Sequence, residues 1–177
     1  MPERADGRLR VADVNPNRKG VQLIAQALGL PAVPVVDLSA DVRCLVMLGA
    51  DLPGITEARL AELDLIAITS HERGPAAAAK IALPAAAWAE VAGTVTNAAG
   101  LVQRMHAAFA PPGQALPAWE AVVRLAQATA AGAPARISYA HAREVWKDMT
   151  QTVAAWSGLA WAREARPLAL RFAGSRG

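Results

Sequence analysis

Two short apolar runs with a capped helix between them constrain this chain more than any other feature. Cys44-Leu45-Val46-Met47-Leu48 stops at Gly49, and Leu65-Ile66-Ala67-Ile68-Thr69 follows after a turn at Asp51-Leu52-Pro53-Gly54. Continuous apolar runs of this length read as strands buried on both faces of a parallel sheet. Thr56 is placed to cap a helix that runs through Leu63, and Glu57 favours its first turn. Strand, helix and strand joined by short connections form a βαβ unit. A third strand is predicted over Lys80 to Leu83, ending at Pro84, which offers the ladder no N–H.

Helical patterning lies on both sides of this unit. Val14-Asn15-Pro16-Asn17 reads as a turn, and Val21, Ile24, Ala25 and Leu28 then share one face, with Gly29 placed to end the helix. The prolines at 31 and 34 predict an extended connector. Downstream, Trp119, Val122, Val123, Ala126 and Ala130 make one helical stripe. Val145, Trp146, Met149, Val153 and Trp156 make a second, and both read as core-facing rather than as cofactor boxes. The expected architecture is α/β: a small three-layer parallel-sheet, Rossmann-like lobe with helices added on its C-terminal side. Its divisions are a polar arm over 1–14, the lobe over 15–160 and a tail over 161–177.

Composition removes several function classes. The net charge is +3 and the basic residues are scattered, so no nucleic-acid footprint is indicated. The single cysteine, Cys44, sits inside an apolar run and is expected to be buried; one thiol cannot hold an iron–sulfur cluster, which takes about four ligands. With three histidines and none at ligand spacing, a zinc site is not supported. No window reaches the roughly 18 apolar residues of a membrane span, and Glu3 and Asp6 argue against a signal peptide. The chain is therefore expected to be soluble.

Nucleotide motifs are missing where a βαβ unit would carry them. Gly49-Ala50-Asp51-Leu52-Pro53-Gly54 lacks the G-x-G-x-x-G spacing, and no Gly-Lys-Ser/Thr occurs. His71-Glu72 follows the second strand at the end where open α/β sheets place ligands, yet adjacent loop residues usually point apart, so a surface loop is the preferred reading. Glu90, Thr94, Thr96, Asn97 and Gln103 form a polar set in an otherwise apolar region. If buried they must be hydrogen-bonded, to a ligand or to each other and the backbone. Structure is preferred over ligand binding there, with Gly93 and Gly100 allowing close turns.

The stretch from Lys80 to Trp119 carries a family resemblance. Leu83-Pro84-Ala85-Ala86, followed by Glu90, Gly93-Thr94, Thr96-Asn97, Gly100 and Gln103, resembles the LPAA and E-x-x-GT-x-TN-x-EGR-x-Q blocks of the molybdopterin-oxidoreductase superfamily. Pro111-Pro112-Gly113 with Pro117-Ala118-Trp119 is similar to the segment that follows in that family. Upstream, Asn15 with Lys19-Gly20, the block from Leu45 to Asp51, and His71-Glu72 continue the likeness. Within the superfamily the pattern resembles the C-terminal half of the large iron–sulfur subunit of NADH-quinone oxidoreductase, respiratory complex I.

That resemblance implies a non-catalytic structural lobe in the peripheral arm of complex I, on the cytoplasmic face of the inner membrane. Its partners would be the iron–sulfur subunits, its tryptophans and basic tail serving the interface. Ala99 and Leu101 stand where the family often has Glu and Arg, Arg73 replaces the Thr of H-E-T, and Lys80 replaces an acidic residue. These departures imply that no cofactor is held by this chain, with Thr94, Asn97 and Gln103 as vestigial pterin-facing positions. Two other functions fit the same residues: one lobe of a split molybdopterin oxidoreductase such as a formate dehydrogenase, in which those three residues touch the pterin, or a stand-alone small-molecule-binding module.

Overall fold

The structure is a computed structural model that describes residues 17–31, 38–49, 52, 54–130 and 137–161. The polar arm, most of the 31–38 connector, part of the 51–54 turn and the tail beyond 161 lie outside the described residues. The chain divides into two compact units.

The first is built on the predicted βαβ pattern. Strand β1 (Cys44–Leu48) is followed by helix α2 (Glu57–Ala61), numbered after the upstream helix α1 (Arg18–Ala27), and then by β2 (Asp64–Thr69) and β3 (Ile81–Pro84). The strands form a parallel sheet in the order β1-β2-β3, with Val46 opposite Ile66 and Ile66 opposite Ile81. Thr56 caps α2 as expected, its hydroxyl oxygen accepting the Arg59 N–H at 3.2 Å. Arg59 reaches back from α2 to donate to the carbonyls of Ser39 and Val42, both at 2.8 Å, and so ties the lead-in of β1 to the crossover.

Each face of this sheet meets a different layer. Leu45 and Met47 on β1, with Leu65 and Ala67 on β2, pack against Leu52, Ile55, Leu60, Ala76 and Ala79. On the opposite face, Ile68 and Leu83 are covered by Ala118, Ala121 and Val122 of α3 (Ala118–Thr129). Strand β2 is thus buried from both sides. Strand β1 is not: Cys44, Val46 and Leu48 are exposed, which corrects the expectation of a doubly buried strand and of a buried Cys44. The physical reason is reach. Helix α3 lies over β2 and β3, and no described element lies over β1 on that side.

The second unit holds α1, the antiparallel hairpin of β4 (Gly93–Thr96) and β5 (Val102–Met105), and α4 (Ala142–Thr152). Gly29 has a φ of +64° just past α1, as its placement predicted. The core here is aromatic. Trp146 and Trp156 stack with ring centroids 5.8 Å apart, Trp161 lies 6.4 Å from Trp146, and Val102, Val153, Leu23 and Ile24 fill around them. Trp146 and Trp156 are therefore core residues, as their helical spacing predicted, whereas Trp88 in the sheet unit is 81% exposed.

Candidate functional site

In an open parallel sheet, ligands gather beyond the carboxyl ends of the strands. Here that edge is formed by the end of β2 and the end of β3, and two clefts meet along it. One, of about 280 Å³, is lined by Thr69, Ser70, His71 and Glu72 on one wall and by Ala76 and Ala82 to Pro84 on the other. The other, of about 410 Å³, is lined by Leu83, Pro84, Gln114, Leu116, Ala121 and Arg124. Leu83 and Pro84 border both.

Pro84 sets this geometry. Its ring removes a donor and ends β3, but its carbonyl still accepts the Leu116 N–H at 3.2 Å. The Ala86 N–H then donates to Leu116 O at 2.8 Å, so the segment after the Pro111-Pro112-Gly113 turn runs parallel to the end of β3 through a bridge at Ala85 and Leu116. That segment leads straight into α3, which places Arg124 on the cleft wall; its guanidinium donates to Glu120 at 2.6 Å.

The other wall is a tight polar turn. The Thr69 hydroxyl accepts the His71 N–H at 3.2 Å, and Ser70 Oγ lies 2.8 Å from His71 Nδ1. A serine beside a histidine resembles half of a nucleophilic pair, but the two are neighbours in sequence on an exposed loop and no third group among the described residues orients the ring. The arrangement offers hydrogen bonds to a polar ligand lying across the strand ends and does not make an activated nucleophile.

The polar set singled out in the sequence is distributed rather than gathered. The Glu90 carboxylate accepts the Ala87 N–H at 2.8 Å and closes its own turn in the sheet unit. In the second unit, Asn97 Oδ1 accepts the Leu101 N–H at 2.9 Å, which with Gly100 at a φ of +80° shapes the loop from β4 to β5. Thr96 is 2% exposed, and its N–H donates to Asn17 Oδ1 at 2.8 Å. Hairpin register pairs Thr94 with Arg104 and Val95 with Gln103, so Thr94 and Gln103 point to opposite faces and do not line one surface. The Asn17 link and the Ser70–His71 contact are not evident in the sequence. A turn-forming asparagine and a short polar run are their only signals.

A pterin cofactor tests the cleft by size and by donors. Small-molecule sites run from about 300 to 1,000 Å³. The cleft of about 410 Å³ falls within that range and the one of about 280 Å³ just below it. Among the described residues no cluster of three His, Cys, Asp or Glu side chains is placed to hold a metal ion. No helix among them is long and apolar enough to cross a membrane.

Comparison with known proteins fits this picture. An 85-residue stretch is 38% identical to the F420-dependent formate dehydrogenase 2 subunit alpha of Methanococcus maripaludis, covering 48% of this chain and 12% of that protein. Another of 70 residues is 39% identical to a nitrate reductase of Klebsiella oxytoca, covering 40% and 8% respectively. A longer match of 130 residues, 28% identical, reaches the F420-dependent formate dehydrogenase 1 subunit alpha of Methanococcus maripaludis over 70% of this chain and 19% of the relative. The chain thus spans a small fraction of the length of these relatives. Residues 18–128 match molybdopterin oxidoreductase, a span that contains the whole parallel sheet, the hairpin and nearly all of α3, and the chain belongs to that family.

Proposed function

We propose that this chain is one lobe of a molybdopterin oxidoreductase of the formate dehydrogenase kind, which closes over one end of the cofactor at the carboxyl edge of the sheet. The observation that carries the reading is the match over residues 18–128 together with relatives that are formate dehydrogenase alpha subunits. Those relatives, with a nitrate reductase beside them, favour a lobe of a working oxidoreductase over a structural lobe of complex I. Because the matched segments make up 8% to 19% of the relatives, the rest of the enzyme's mass is supplied by polypeptide outside these 177 residues.

In such an enzyme the cofactor supplies the two-electron chemistry, and the protein supplies binding, orientation and shielding from water. The residues for that role here are Ser70, His71 and Glu72 on one wall, with Gln114 and Arg124 across Leu83 and Pro84. Ser70, His71 and Gln114 offer hydrogen bonds, the Glu72 carboxylate accepts from a ligand hydroxyl or N–H, and Arg124, held by Glu120, supplies a cation at the cleft wall. The test is to isolate the native assembly that contains this chain, measure molybdenum and pterin, and assay formate-dependent dye reduction. Both cofactor components and formate oxidation are expected. An assembly that holds neither molybdenum nor pterin overturns the reading.

A further inference from the structure

We draw no further inference here: the strongest candidate, the Arg104 guanidinium at the edge of the aromatic cluster in the second unit, lies 4.6 Å from the centroid of Trp161 with Nε and Nη1 shielded from water, and nothing in the structure shows what accepts from them.

Discussion

Asn17 Oδ1 accepts the backbone N–H of Thr96 at 2.8 Å across a sequence separation of 79 residues. Asn17 precedes α1 with a φ of +68°, a conformation that asparagine tolerates better than most residues, and its side chain does not cap its own helix. It serves β4 instead. Gly20 completes the junction: a Cβ there would sit 2.4 Å from Asn17 Oδ1 and 3.2 Å from Thr96 Oγ1. Asn17→Ala leaves a nearly buried N–H without its partner, and the expected loss is about 1–3 kcal/mol in urea denaturation. Gly20→Ala destabilises by steric conflict with the same oxygen. The double variant should therefore lose less than the sum of the two single losses, and strict additivity would show that the sites are independent.

Arg59 joins the lead-in of β1 to α2 through two carbonyl acceptors and pairs with Glu62 at 2.9 Å. Both carbonyls accept from Nη2 while Nη1 pairs with Glu62, so a lysine, with a single nitrogen, cannot hold all three partners in this geometry. Arg59→Lys is expected to raise amide exchange and protease cleavage around residues 39–43 while the amides of β2 stay protected. If residues 39–43 exchange no faster in the variant, the tether is not what orders that segment.

Much of the sheet unit is legible in the sequence. The apolar runs, the Thr56 cap and the stop at Pro84 are local signals, and each names the element that forms. The exposure of Cys44, Val46 and Leu48 is not legible, because a continuous apolar run looks the same whether one face or both are covered. The hairpin is hidden for a different reason. Thr94, Thr96 and Gln103 alternate with apolar residues around Asn97 and Gly100, which is a strand–turn–strand signal, but their polarity equally suggests a ligand set. The partner of Thr96 cannot be read at all, since nothing local at Asn17 points to a strand 79 residues away.

Arg104 is half-buried, with two of its guanidinium nitrogens shielded from water. Its guanidinium lies 4.6 Å from the centroid of Trp161, while Nε and Nη1 are shielded from water and make no hydrogen bond among the described residues. A cation over an indole gains about 0.5–2 kcal/mol, and unpaired buried donors cost about 1–3 kcal/mol. The two effects nearly cancel, so Arg104→Met is expected to be neutral or to stabilise by up to about 1 kcal/mol in urea denaturation. A loss above about 2 kcal/mol would mean that the guanidinium finds a partner in solution.

The stacked tryptophans separate packing from hydrogen bonding within one core. Trp146 Nε1 donates to Leu159 O at 3.3 Å, whereas the Nε1 of Trp156, a residue only 1% exposed, is buried without an acceptor among the described residues. Replacing either ring by alanine empties a large volume and should cost about 3–5 kcal/mol. Phenylalanine keeps most of the ring and deletes the N–H. At position 146 that change also strands the Leu159 carbonyl, while at position 156 it removes a donor that was already unsatisfied. Trp156→Phe should therefore be the milder change, by about 1 kcal/mol in urea midpoints corrected for slope. The reverse order would place an acceptor against Trp156 Nε1, and would shift the aromatic cluster from a packing core to a polar one.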